Sequence, residues 1–217
     1  MKYFKLGKSK STGEVVDVKN AKNGLSCDCV CFDCGANLEA HQGQKNEWHF
    51  KHHEETDCNG GQETALHILA NKILVENTEI NLPKYGKIVY DNAIEKKPLD
   101  SFIPDVTAIT NGKNIYFEVF VTHQVEEAKE NYFRKGEHKS IEINLRNYTF
   151  TSIEELENEV LENDENKRII FWEKEPVTQK EDNSLFYFIC GVAVFLLLRE
   201  IWKLFFPKRK YRKSYTF

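Results

Sequence analysis

The sequence predicts a mixed α/β domain of order αβββαβ, preceded by a small β-rich module held together by a metal ion. Two observations carry this. Five of the six cysteines fall between positions 27 and 58, interleaved with a histidine-rich stretch, ahead of the first long helical period. From position 62 the apolar pattern then switches from a helical spacing to alternation, back to helical and back to alternation. With 217 residues, 41% of them hydrophobic, the chain can bury one moderate core beside a metal-held subdomain. The divisions that follow are a zinc-binding module over 1–60, an α/β domain over 61–172, a polar linker over 173–183, a hydrophobic membrane-associated helix over 184–206 and a basic tail over 207–217.

Within the module, residues 1–30 read as short strands around the turns at Ser11-Thr12-Gly13 and Asn23-Gly24. Cys31-Phe32-Asp33-Cys34-Gly35 follows, a Cys-x-x-Cys knuckle whose glycine lets two thiolates face one ion across a tight turn. Zn²⁺ takes four tetrahedral Cys or His ligands, so the knuckle needs two more. Cys58 is the natural third, since it otherwise stands alone in a polar Thr-Asp-Cys-Asn loop. The fourth is a histidine, His52 or His49; His52 lies nearer Cys58 and frees Trp48 to Phe50 to pack as a strand. Cys27 and Cys29 have only Cys-x-Cys spacing and read as spare thiols, and His53 as a solvated side chain. The chain opens without a secretory signal, which predicts a reducing, cytoplasmic setting and thiols engaged by metal rather than in disulfides. A site closed by four protein ligands orders its subdomain and leaves no position for chemistry.

After Gly60-Gly61, a helix is predicted from about Gln62 to Asn77, with Leu66, Leu69, Ala70, Ile73 and Leu74 on one stripe. At 100° per residue, Glu63 falls within that stripe at its first turn and His67 on its flank. Strands are predicted at 86–94, 102–110 and 114–122, the last two joined by an Asn111-Gly112 hairpin turn. The third is apolar on both faces yet carries Glu118 among aromatics, and so is expected to be central. A helix from Gln124 to Lys135, stopped by Gly136, leads to a parallel strand at Lys139 to Leu145. Ser152 with Glu155 forms a capping box opening a helix to Glu162, and Arg168 to Trp172 adds an edge strand.

The hairpin turn sets Asp105 and Glu118 on neighbouring strands, close in register. Two carboxylates side by side in a half-buried sheet repel and resist desolvation unless a cation bridges them or one takes a proton. Mg²⁺ suits such oxygen ligands and can activate a bound water against a phosphodiester; the alternative is a solvated pair at a sheet edge.

These residues carry a resemblance. The order αβββαβ with Glu63 on the helix, Pro104-Asp105 on one strand and Glu118 on the next resembles the PD-(D/E)xK nuclease fold. More narrowly, six motifs occur together: Cys-x-x-Cys-Gly, His-Phe-x-His from His49 to His52, a downstream Cys58, Glu-Thr-x-x-His from Glu63 to His67, Pro-Asp-Val, and Glu-Val-x-Val-Thr-His from Glu118 to His123. Over about residues 25–146 they look like the CoiA-like competence-protein family. The resemblance implies a metal-dependent DNA nuclease in which Glu63, Asp105 and Glu118 hold Mg²⁺ or Mn²⁺, with DNA as partner. The pattern departs at one position. The nuclease motif wants a lysine two residues after the strand glutamate, and Phe120 stands there. Lys129, inside the apolar stripe Val125, Ala128, Tyr132 and Phe133 of the second helix, is the best substitute, with His67, Thr122 and His123 as further candidates. Lys72 lies on the wrong face of its helix. A rival reading keeps the fold and loses cleavage, leaving a zinc-bearing module that recruits DNA or partners at a membrane.

Charge is unevenly spread. Residues 199–217 hold seven Lys/Arg and one Glu, net +6, so the whole-chain charge of −4 leaves −10 on residues 1–198. An acidic body makes a poor general phosphate binder, although divalent ions would offset carboxylates locally. Leu185 to Leu198 carries no charge, and extending the run to Phe206 gives 22 residues, against about 20 for a membrane span. Arg199, Glu200 and Lys203 share one helical face, so the segment is predicted to dip into or lie along an anionic membrane; a core helix and a partner-binding helix are the alternatives.

Overall fold

The computed structural model describes residues 4–58 and 61–173, which belong to one compact unit ending at Glu173. The predicted linker, hydrophobic helix and basic tail lie outside the described residues. Among the described residues no helix is long and apolar enough to cross a membrane.

The amino-terminal module is built from short strands: β1 (Leu6–Ser9), β2 (Val15–Asp17), β3 (Cys29–Val30), β4 (Leu38–His41) and β5 (His49–His52). β1 pairs antiparallel with β2 and β3, and β4 with β5. Phe4, Val18, Cys29, Leu38, Ala40 and Phe50 form its small core. That is few apolar residues for independent stability, the usual circumstance in which a metal staple is needed.

α1 (Gln62–Glu76) follows and buries the predicted stripe of Leu66, Leu69, Ala70, Ile73 and Leu74, together with Ala65, against the main sheet. The module grips the start of this helix. Gln62 Oε1 accepts the backbone N–H groups of Lys5 (2.9 Å) and Leu6 (3.3 Å), and Thr64 Oγ1 donates to Asp33 Oδ1 at 2.9 Å. At Gly61 an added Cβ would lie 2.5 Å from Phe32 Cβ and 2.8 Å from Phe32 N, so backbone would have to move. Gly61→Ala is therefore expected to destabilise the unit by about 1–3 kcal/mol, read as a lower urea midpoint at unchanged slope.

The remaining elements are β6 (Glu79–Leu82), β7 (Gly86–Val89), β8 (Asp91–Glu95), β9 (Val106–Thr110), β10 (Lys113–Phe120), α2 (Glu127–Lys135), β11 (Lys139–Asn144), α3 (Ile153–Leu161) and β12 (Lys167–Phe171). The main sheet has the order β12-β11-β10-β9-β8, with β10 and β11 parallel and the other neighbours antiparallel. β10 is thus central, as its two apolar faces require. Asn111 (φ 51°) and Gly112 (φ 72°) make the β9–β10 turn, both in the left-handed region that an Asn-Gly hairpin needs. Ser152 caps α3 through a hydrogen bond from Glu155 N at 3.1 Å.

The expected strand over 86–94 is two strands instead. β7 pairs with β6 in a separate ribbon, and β8 joins the main sheet. Between them Tyr90 is buried, its N–H donating to Thr78 O and its hydroxyl to Leu74 O, both at 2.8 Å. Those two bonds pull the chain toward α1 and break the run. The strand expected over 102–110 begins only at Val106, because Phe102 pairs locally with Leu99.

A thiolate cluster and a carboxylate cleft as candidate functional sites

The knuckle turns as its sequence requires. Cys31 N–H donates to Ala36 O, Gly35 N–H to Cys31 O, and Gly35 takes φ 70°, which only glycine adopts freely. Cys58 and His52 come to it from the far side, and the ligand atoms of Cys31, Cys34, His52 and Cys58 all lie within 4.8 Å of one another. Cys31 Sγ is 3.7 Å from Cys58 Sγ, and Cys34 Sγ is 3.4 Å from His52 Nε2. A tetrahedral zinc with ordinary Zn–S and Zn–N bonds has edges of about 3.8 Å for S···S and about 3.6 Å for S···N. The donor set and spacing therefore fit a structural metal such as zinc. Burial opposes ionisation of Cys34, but hydrogen bonds from the Ala36 backbone and from the Cys58 and Cys31 thiols hold it below the ordinary thiol range.

Four neighbouring side chains stay out of the cluster. His49, the other candidate ligand, lies on the opposite pleat of β5 from His52, since three residues along a strand reverse the face. Its Nδ1 contacts Glu47 O at 2.8 Å and its ring stacks on His41. Cys27 donates to Leu38 O and Cys29 to Cys27 O, each at 3.2 Å, and burial pushes the Cys29 thiol up to about 12, so it is inert. His53 is not simply solvated; it pairs with Glu39 at 2.6 Å.

The second site lies at the end of the main sheet where β10 runs out and both α1 and α2 begin. It is a cavity of about 660 Å³ whose lining includes Glu63, His67, Asp105, Glu118, Thr122 and Lys129. The β9–β10 register runs from Lys113 opposite Thr110 to Phe117 opposite Val106, and one further rung sets Glu118 opposite Asp105. Both carboxylates are buried.

Each is handled differently. Asp105 Oδ2 faces His67 Nε2 at 3.0 Å and accepts the Val119 N–H at 2.9 Å, while Oδ1 meets Lys96 Nζ at 2.5 Å. Burial works against its charge, yet these donors outweigh it and hold its carboxyl well below the usual range. Glu118 has fewer partners. Lys129 Nζ is 2.6 Å from its Oε1, close enough for an ion pair but without the approach angle of a hydrogen bond. Burial dominates, and despite Lys129 it pushes the Glu118 carboxyl up to about 7, with the Asp105 charge adding to the rise. Lys129 is itself fixed by a 2.9 Å bond to Ile103 O, and its side chain is 15% exposed.

The expected three-carboxylate cage is not what forms. Among the described residues, Cys31, Cys34, His52 and Cys58 are the one group whose ligand atoms converge for a metal. Glu63 is exposed at the rim, its Oε2 accepting from Thr122 Oγ1 at 2.9 Å. Asp105 and Glu118 each carry a lysine instead. Lys72 pairs with Glu14 at 2.7 Å, away from the site, and His123 is exposed at the cavity wall. Ala128, expected on the apolar stripe of α2, is also exposed. Phe120 is buried in the cavity wall with the Arg146 guanidinium 5.8 Å from its ring centroid.

Lys96 is the residue that sequence reasoning missed. It sits in a Glu-Lys-Lys-Pro connection that looks like any solvated loop, and only the pairing of β8 with β9 brings it to Asp105. The chain matches no family model, no curated protein and no solved structure.

Proposed function

We propose that the chain is a metal-dependent DNA nuclease with a PD-(D/E)xK-like core, resembling the CoiA-like family. The observation that carries this reading is the convergence of Lys129 from α2 on Glu118, beside Asp105, in a cleft at the end of the central strand. It supplies a lysine beside the strand glutamate even though Phe120 occupies the motif position. One feature suits a hard cation: Asp105 Oδ1 faces a half-exposed lysine head that an ion could displace, whereas Glu118 Oε1 already has Lys129 Nζ at 2.6 Å. Asp105 and Glu118 are the buried acids that would hold Mg²⁺ or Mn²⁺, and Glu63, exposed at the rim and bonded to Thr122, would have to turn inward to join them. Such an ion supplies an activated water and offsets charge on the phosphate.

The chain's own groups then have defined tasks. Val119 N–H and His67 fix one oxygen of Asp105, so its carboxylate keeps a set orientation. Ile103 O fixes the Lys129 ammonium at Glu118, where it can offset the negative charge that develops on a phosphodiester under attack. The thiolate module orders the start of α1, and a membrane-associated segment over 184–206 would tether the unit. Incubating the purified chain with linear and circular DNA and Mg²⁺ or Mn²⁺ tests the reading. Cleavage that disappears in Asp105→Ala is the expected result, and DNA left intact by the unaltered chain defeats it.

A second reading has its own support. Both buried carboxylates are already paired with lysines, and the three acids do not converge. A cleavage-deficient module that binds DNA would keep that arrangement, and it would retain DNA in a filter-binding assay while showing no metal-dependent products.

A further inference from the structure

We infer that Lys96 is a phosphate-binding residue of the cleft, engaging a DNA backbone phosphate that enters beside Asp105. This rests on the DNA-directed reading above and adds a substrate contact to it.

The two lysines of the site are built differently. Lys129 is largely buried, held by Ile103 O as well as by Glu118, and comes from a helix. Lys96 comes from the chain just past edge strand β8, and its side chain is 53% exposed. Among the described residues its ammonium ion-pairs with Asp105 Oδ1, at 2.5 Å. Asp105 keeps two further donors on its other oxygen, His67 and the Val119 N–H, both on regular elements, when this one leaves. An ion pair with a half-exposed lysine stabilises a fold little, because solvent competes for the ammonium and holding a long side chain costs entropy. Lys96 also adopts φ 52°, a conformation glycine reaches without strain. A structural role alone therefore accounts poorly for a lysine at this position.

A cationic head that is exposed and held by one oxygen of a carboxylate lining the cleft is placed to exchange partners. A phosphodiester oxygen offers the same hydrogen-bond acceptance and charge as Asp105 Oδ1, and the lysine head can move to it without rearranging the sheet. His67 and Val119 N–H keep Asp105 oriented during the exchange. Lys129 stays at Glu118, so a backbone phosphate entering beside Asp105 would meet the Lys96 ammonium with the Lys129 ammonium at the neighbouring acid.

The test is the salt dependence of DNA binding by the full chain, measured by fluorescence anisotropy with a labelled oligonucleotide in buffer without added divalent ion or chelator. Lys96→Met is expected to weaken binding about equally for unrelated sequences and to lower the slope of log K against log salt by about one. Lys96→Arg should restore the slope, while the melting temperature of Lys96→Met stays near that of the parent chain. A Lys96→Met chain that keeps the parent slope overturns the inference and leaves the nuclease reading standing. A parent chain that binds without cutting, with the slope reduced in Lys96→Met, sustains the inference while the nuclease reading falls. No binding by the parent chain overturns both.

Discussion

Lys129→Met is expected to reduce metal-dependent DNA cleavage by about 10²–10³-fold, the typical cost of removing one preorganised donor from a site where charge develops. The geometry makes this the largest single-residue effect outside the carboxylates themselves. Lys129 reaches Glu118 at 2.6 Å from a backbone-anchored position, and the other nearby ammonium, Lys96, is paired with Asp105 instead. A purely structural lysine would lower activity through stability alone. The pH profile separates the cases. Glu118 is held up to about 7 by burial, and Lys129 pulls it down from a higher value still. Removing Lys129 therefore raises the Glu118 carboxyl further, and the acid limb of the activity profile should move to higher pH. An unmoved limb would assign Lys129 to packing.

The same carboxyl imposes a pH dependence on stability. In the unfolded chain a glutamate titrates near 4.5, while Glu118 in the fold titrates at about 7. Between those values the folded state binds the extra proton, so stability falls as pH rises through the window, by up to about 3 kcal/mol. Asp105 works the other way. Its folded carboxyl is held low, so its contribution is present above the ordinary carboxylate range and lost as pH falls. Melting curves between pH 5 and 8 should show a downward trend that Glu118→Gln flattens; an equal trend in both proteins would remove Glu118 as its source.

The second large effect is at the thiolate cluster. Cys58→Ser is expected to abolish stoichiometric zinc and to lower the melting temperature by about 10 °C or more, because a structural zinc contributes its binding free energy directly to folding. Cys58 supplies one of the four converging ligands, and the module has a small apolar core to fall back on. Zinc released on thiol modification, measured with a chromogenic chelator, gives the content. Cys27→Ser serves as the control, since that thiol only donates to Leu38 O and should keep its metal. A Cys58→Ser chain that retains full zinc would remove Cys58 from the ligand set.

Much of this was legible in the residues because short-range chemistry fixed it. The isolation of Cys58 in a polar loop and the glycine after Cys34 point to Cys31, Cys34 and Cys58, whereas the choice of His52 over His49 became firm only with the pleat of β5. Asn111-Gly112 fixes the hairpin and with it the register of Asp105 against Glu118. What was not legible depends on tertiary contacts. The break at Tyr90 comes from hydrogen bonds to α1 and the turn after it, and nothing in an apolar run announces a bend. Glu63 shares the angular position of the buried stripe, yet a helix period cannot reveal which of its turns is covered. Lys96 is hidden for the same reason, as an exposed lysine acquires meaning only from the strand beside which it stops.

The grip of the module on α1 bears on how metal requirements are to be read. Phe32 and Asp33, between the two knuckle cysteines, abut Gly61 and Thr64, three residues before His67 meets Asp105. A chelator that strips the thiolate site would unseat the helix end that carries Glu63 and His67. Inactivation by a chelator would therefore report on the hinge between module and cleft as much as on any ion at the carboxylates. Only restoration by Mg²⁺ or Mn²⁺ in a chain whose zinc has been shown to remain in place assigns the requirement to the cleft.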